Sequence, residues 1–362
     1  MPILNQFNVH PRFKLNGTSL SNEDLLVVGY GYTKTGEDFE KSIGHFLLDW
    51  CNESDELVVK TSGSTGVPKH IHLLKKHMVN SALATGDFFN LEPGDTAFNC
   101  LPSNFIAGKM MLVRAMVLGL EIDCVAPSKY PLENNKKTYD FSAMVPLQLR
   151  NSLKDINCIK TLIVGGTPLT KNLKYEVQKK NTKVYETYGM TETITHVAVK
   201  KVNNFDDKDQ SVVNPFRALP NVSFSRDKLD CLIIDAPKIS VQKVVTNDIV
   251  DLISDTEFVW LGRHDNIINS GGIKLIPEQI ENALAQVIRN RFFVAGVQDD
   301  MFGEKLILLV EGQKESDLLE KIKASKKLSK YELPKEIFFL AQFKETDTGK
   351  VNRSKTIKTL QR

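Results

Sequence analysis

From Leu57 to Gly189 the chain repeats one pattern. A short apolar run ends in Gly, Pro or a polar turn, and a stretch with helical spacing follows. The runs are ELVVK, TAFNCLP, LEIDCVAP, FSAMVP, IKTLIVGG and TKVYETYG, with AGKMMLVRAMVLG and TKNLKYEVQKK among the intervening stretches. Runs this short and apolar read as strands buried on both faces, and strands separated by helices pair in parallel. The pattern therefore restricts the fold to the α/β class, with a mostly parallel sheet flanked by helices on both faces. Such sheets bind ligands beyond the carboxyl ends of their strands, where these turns lie. In front of the alternation, SNEDLL opens with a capping serine and EDFEKSIGHFLLDWC has helical spacing, so two helices are expected before Cys51.

After Lys200 the character changes. A polar segment, KKVNNFDDKDQ, leads to the shorter strand candidates DCLIIDAP, QKVVTND and EFVWLGR, which read as antiparallel. A boundary near Arg263–Asp265 is expected, separating a large unit, residues 1–263, from a small mobile one, 264–362. In the small unit KLIPEQIENALAQVI reads as a helix with Pro277 in its first turn. FFVAGVQDDMFGEKLILLVEG reads as two strands around a turn, and a further helix and EIFFLAQF follow. This is a compact α+β unit of about a hundred residues, an ordinary domain size.

Charge narrows the function. The 47 basic and 44 acidic residues leave a net +3, without the basic footprint that nucleic-acid binding needs. The Lys-rich run KIKASKKLSK reads as a solvated helix face. The five cysteines form no CxxC pair, which gives no zinc or redox motif and suits reduced thiols in a cytoplasmic protein. No apolar run is long enough to span a membrane and MPILNQFNVHPRFK has no signal-peptide core.

TSGSTGVPK, Thr61 to Lys69, is a loop of glycines and hydroxyls ending in a lysine. It is not a Walker loop: Pro68 replaces the second glycine, and His70 the Ser/Thr that would hold magnesium. Glycines still let backbone N–H groups converge on an anion, and Thr61, Ser62, Ser64 and Thr65 add hydroxyls while Lys69 adds charge. LLKKHMVNSALATGDFF is expected to open a helix whose N-terminus favours anions. The plain alternative is a surface turn.

TSGSTGVPK is similar to the phosphate loop of the acyl-adenylate-forming superfamily, which comprises acyl- and aryl-CoA synthetases, peptide-synthetase adenylation domains and luciferases. Further segments resemble that family's motifs in order. In YETYGMTET the resemblance implies that Tyr188, followed by Gly189, stacks on adenine, Thr191 meets the α-phosphate and Glu192 ligates Mg²⁺. An aromatic face suits a purine, and a carboxylate suits a hard cation on phosphates. In IVGGTPL, Gly165 and Gly166 resemble the loop beneath the adenine. In VVTNDIV, Asp248 matches the ribose-binding aspartate, with Asn247 where the family has glycine. In WLGRHDNIINSGGIKLIPEQIE, Arg263 would contact the ribose and Asp265 would be the interdomain hinge. Gly271 and Gly272 would pass close to a pantetheine arm. DTGKVNR resembles the catalytic-lysine loop, with Lys350 bridging carboxylate and α-phosphate. The loop residues Thr61, Ser62, Gly63, Ser64, Thr65, Gly66 and Lys69 would grip the β- and γ-phosphates. In LPSNFIAG, Phe105 takes the place of the family's channel histidine.

The resemblance covers nearly everything from Leu57 onward; the part in front is shorter than in most members. It implies an AMP-forming acid–CoA ligase using ATP, Mg²⁺ and coenzyme A on a small carboxylic acid, with rotation of the small unit between the two half-reactions. INSGGIKLIPEQIE, the AGKMMLVRAMVLG helix and the brevity of the chain resemble most the 2-succinylbenzoate–CoA ligases of menaquinone biosynthesis. That acid has a second carboxylate, for which Lys109 is the expected partner. Without the resemblance, Lys109 and Arg114 read as surface charges on an amphipathic helix. Other readings are a different aryl- or acyl-CoA ligase, an adenylation module loading a carrier protein, or a non-catalytic nucleotide-binding regulator. A homo-oligomer is left open.

Overall fold

In the computed structural model the described residues are 9–61, 69–205, 214–301, 303–345 and 351–360. Short strands β1 (Lys14–Leu15) and β2 (Thr18–Ser19) lead into helices α1 (Asn22–Thr35) and α2 (Asp38–Cys51). The expected serine caps α1: Ser21 and Asp24 form a reciprocal capping box.

β3 (Glu56–Thr61) and β4 (Lys69–Leu74) form a separate two-stranded antiparallel sheet, with Thr61 opposite Lys69. ELVVK is therefore not a strand of the parallel sheet, and no helix begins at Lys69. Period-two burial decides this: Leu57 and Val59 face inward while Glu56 and Val58 face out, and Leu73 is buried between exposed His72 and half-buried Leu74. Helix α3 (Lys75–Phe89) begins only after β4, so its N-terminus lies a whole strand away from the glycine loop.

The alternating segments then build the expected parallel core. β5 (Thr96–Asn99), β6 (Glu121–Cys124), β7 (Tyr139–Met144), β8 (Ile159–Val164) and β9 (Lys183–Gly189) pair in parallel in the order β9-β8-β7-β5-β6. Helix α4 (Ile106–Leu118) connects β5 to β6, and α5 (Pro146–Ser152) and α6 (Lys171–Val177) follow β7 and β8. Both faces are covered. Ala97, Ile122, Phe141 and Ile163 join one core with residues of α2, α3 and α4. Phe98, Met144, Leu162 and Val164 join another with α5 and α6. Consecutive strand residues thus enter opposite cores, as the pleat requires.

β10 (His196–Lys201) returns antiparallel along β9 and extends the sheet. β11 (Phe216–Ala218), β12 (Ser223–Arg226), β13 (Cys231–Asp235), β14 (Val244–Leu252) and β15 (Glu257–Arg263) complete a thirteen-stranded sheet whose antiparallel end runs β10-β11-β15-β14-β13-β12.

The last hundred residues form an α+β unit with its own sheet. β16 (Ile268–Ser270), β17 (Ile273–Leu275), β18 (Phe292–Asp299), β19 (Gly303–Glu311) and β20 (Glu336–Leu340) surround a core shared with α7 (Pro277–Leu284) and α8 (Leu318–Ala324). Pro277 lies in the first turn of α7, as expected. Among the described residues no helix is long and apolar enough to cross a membrane.

Candidate active site

The turns at the carboxyl ends of β7, β8 and β9 enclose a cleft of about 250 Å³ with Gly165, Gly166, Thr187, Gly189 and Thr191 on its lining. Its shape depends on the glycines. A Cβ at Gly165 would collide with Thr187 Oγ1, and one at Gly189 would come within 2.5 Å of the His196 Cα. Gly166 has φ +91°, where a side chain is strained. Glu186, a buried residue of β9, anchors the turn after β8: its carboxylate accepts the Leu169 N–H at 2.7 Å and pairs with Lys174 at 2.9 Å and Lys200 at 2.8 Å.

One strand end away, β9 brings Tyr188 onto β14 and β15. The Tyr188 hydroxyl donates to Asp248 Oδ2 at 2.6 Å, and Trp260 Nε1 donates to Asp248 Oδ1 at 3.1 Å. The Tyr188 ring lies against Phe258 and Phe216, with centroids 5.1 and 5.7 Å away. Asp248 stands opposite Arg263 in the β14–β15 register. Arg263 pairs with Asp265 at 2.9 Å. Partial burial disfavours the guanidinium charge, but Asp265 and Asp248 more than offset this and hold its pKa above the usual value. Burial and the Asp248 carboxylate push the Tyr188 hydroxyl well up. Three residues far apart in sequence thus meet in one place: an aromatic face, a hydrogen-bond acceptor and a cation.

Thr191 and Glu192 sit in a tight turn after β9, closed by Thr193 Oγ1 on the backbone of Met190. The next residue, Ile194, is buried with φ +66°. A β-branched residue there is a genuine outlier, and such strain persists only where the surroundings enforce it. No three His, Cys, Asp or Glu side chains among the described residues gather as a metal cage. An ion held largely by nucleotide phosphates needs only one or two carboxylates, and exposed Glu192 fits that demand.

The opposite wall of the cleft departs from expectation. Lys109 does not line it: the ammonium is buried over the Phe46 ring of α2, 5.1 Å from its centroid. Burial lowers its pKa, partly offset by Asp49. Arg114 does line the cleft, and only 1% of it is exposed. Five residues at about 100° each put the two cations on different sides of α4. Arg114 Nε donates to Thr85 Oγ1 at 3.2 Å, and Nη2 donates to Thr195 Oγ1 at 3.2 Å and reaches His196 Nδ1 at 3.4 Å. All are neutral groups. Burial alone lowers the Arg114 pKa to about 9, with no carboxylate among the described residues raising it. It is still a cation at neutral pH.

The remaining expected site residues are dispersed. Phe105 precedes α4 and is half exposed. Gly271 and Gly272 form the two-residue turn between β16 and β17, with φ +58° and +82°. Both angles require glycine-like freedom whatever passes nearby. Thr61 and Lys69 end the paired part of the β3–β4 hairpin. Ser62, Gly63, Ser64, Thr65, Gly66 and Lys350 lie outside the described residues. Arg114, Thr195, His196 and Trp260 were absent from the expected set. For Arg114 a signal existed: AGKMMLVRAMVLG is apolar all round, which marks a buried helix and hence a buried charge.

The family model for AMP-binding enzymes matches residues 52–224. A solved structure described as an acyl-CoA synthetase (AMP-forming)/AMP-acid ligase II-like protein from Dyadobacter fermentans is 34% identical. The match covers 92% of this chain and 98% of that one, at a TM-score of 0.61. A 2-succinylbenzoate–CoA ligase of Bacillus cereus is 25% identical over 374 residues, covering 91% of this chain and 75% of the relative. A Bacillus subtilis o-succinylbenzoate CoA synthetase, solved with its acyl-adenylate intermediate, shares the fold at a TM-score of 0.73 and 15% identity, covering 95% of this chain and 94% of that one.

Proposed function

The chain belongs to the AMP-binding enzymes, as an AMP-forming acyl-CoA ligase that uses ATP, Mg²⁺ and coenzyme A, and from that premise we propose that its acid is 2-succinylbenzoate, converted to the CoA thioester for menaquinone biosynthesis. The carrying observation is Arg114. A guanidinium buried among neutral partners is costly unless an anion reaches it. An acid whose one carboxylate is activated has no negative charge to spare. A dicarboxylic acid has: its second carboxylate ends on Arg114 while the first faces the nucleotide. The names of the relatives agree with this acid.

In the first half-reaction a carboxylate oxygen bonds to the α-phosphorus of ATP, and the bond to the bridging oxygen breaks to release pyrophosphate. In the second, the CoA sulfur attacks the acyl carbonyl and AMP leaves, while the thiol proton passes to solvent. In this reading Tyr188 lies against the adenine above the Gly165–Gly166 turn, Asp248 and Arg263 hold the ribose, and Thr191 donates to the α-phosphate. Glu192 would hold Mg²⁺, which neutralises phosphate charge when bound. The loop Thr61–Lys69 grips the outer phosphates and Lys350 bridges carboxylate and α-phosphate. The small unit, 264–362, turns about Asp265 between the steps.

The test is a panel of carboxylic acids with ATP, Mg²⁺ and CoA, reading AMP and thioester. Thioester from 2-succinylbenzoate, with little from its homologue lacking the ring carboxylate, is expected. Activity with plain fatty acids and none with 2-succinylbenzoate would overturn the assignment.

A further inference from the structure

A second cavity, of about 210 Å³, lies behind the acyl cleft. Ser81 and Ala84 of α3 form one side of it, and Leu219 and Ile239 the other. His196 lines this rear cavity and the acyl cleft alike. Two buried polar atoms at the rear cavity, Ser81 Oγ and His196 Nε2, have no hydrogen-bond partner among the described residues. The His196 tautomer follows from its neighbours. A guanidinium only donates, so Nδ1 facing Arg114 is the acceptor and Nε2 carries the proton. Burial first, and then the Arg114 charge, hold the ring neutral.

We propose that His196 is the stop that sets how long an acid the cleft admits, its ring dividing the acyl cleft from the rear cavity. Replacing the imidazole by a small side chain joins the two spaces. The Ser81 hydroxyl then offers a hydrogen bond to a polar group that passes through. The inference rests on the cleft being the acyl site, but not on which acid is native.

The experiment compares kcat/KM for AMP formation with a short and a long acid in the wild type and in His196→Ala. The pair is 2-succinylbenzoate and 6-(2-carboxyphenyl)-6-oxohexanoate, two methylenes longer. A methylene that a pocket accepts or refuses changes kcat/KM by roughly 10- to 200-fold, so the long-to-short ratio should rise at least about tenfold. Adding Ala84→Phe, which fills the rear cavity, should return the ratio to the wild-type value. An unchanged ratio, or a gain that survives the plug, overturns the proposal. If His196→Ala does not fold, His196→Ser gives the same reading. If the wild type refuses 2-succinylbenzoate, the dicarboxylate reading has failed, and the length stop is read with whichever acid the panel shows it accepts and that acid's longer homologue.

Discussion

Arg114 keeps its charge where water does not reach it, and one helix position decided that. The sequence offered two cations on α4, and Lys109 was the expected partner of the second carboxylate. The helix carries buried residues all the way round, so neither cation could be a surface charge. Only the angular offset between positions 109 and 114 assigns one to α2 and the other to the cleft. Tyr188, Asp248 and Arg263 were legible individually because motif spacing marks them. Trp260 and His196 were not, since their roles arise from cross-strand neighbours. Arg114→Met replaces the unpaired charge with an apolar chain of similar length. Losing a partner to a buried charge costs about 2–5 kcal/mol, so kcat/KM for 2-succinylbenzoate should fall about 100-fold. For 4-oxo-4-phenylbutanoate, which lacks the ring carboxylate, it should fall far less. Without ligand the variant should melt no lower than wild type, because an uncompensated buried charge has been removed. Equal losses with both acids would refute the carboxylate role.

Strands and turns were read well where burial is two-sided and poorly where one face is wet. The parallel core was legible because short runs rich in apolar and aromatic residues, each closed by a turn, alternate with helical stretches from β5 to β9. The β3–β4 hairpin was not: KHIHLL alternates, and its approach to α3 resembled the start of the helix. The glycine pair at Gly271–Gly272 was legible as special, yet the turn geometry alone accounts for both residues. What joins the elements around the nucleotide side is Glu186. It holds the turn after β8 through Leu169, and Lys200, which it pairs, lies 4.2 Å from the centroid of Phe216, the ring beside Tyr188. Burial would raise its pKa, but Lys200 and Lys174 outweigh burial and bring it below the usual 4.5. A depressed carboxylate stabilises the fold fully above its unfolded value and loses that contribution as pH falls through the folded value. Glu186→Gln keeps an acceptor for Leu169 and removes only the charge. Its denaturant midpoint should lie below wild type at neutral pH, and the gap should close as pH falls below 4.5. A gap independent of pH would show that the charge is not what matters. The KM for ATP should rise in the same variant as the turn loosens.

Contacts between the two units lie at the expected hinge and on α7. Arg263 pairs with Asp265 across the expected boundary, and within the small unit the Asn266 side chain donates to Glu278 Oε1 at 2.5 Å. Lys171 of the large unit reaches the Asn282 carbonyl on α7. Glu278 Oε2 is buried without a hydrogen-bond partner among the described residues, a cost that this arrangement carries. Gly262, the last residue of β15 before Arg263, lies directly beneath α7. A Cβ there would come within 2.5 Å of both Glu278 Oε2 and Ile276 Cγ2. Gly262→Ala therefore disfavours this arrangement relative to any in which the small unit has turned away. In the proposed cycle each half-reaction uses one orientation of the small unit, so the two rates should move in opposite directions. AMP formation from acid and ATP reads one, and thioester formation from supplied acyl-adenylate reads the other. Lys350→Ala is the one-sided reference: it should abolish adenylation and leave the thioester step. If Gly262→Ala slows both steps by the same factor, the variant has damaged the fold instead of shifting the hinge. If it alters neither, the arrangement described here is not one that the catalytic cycle uses.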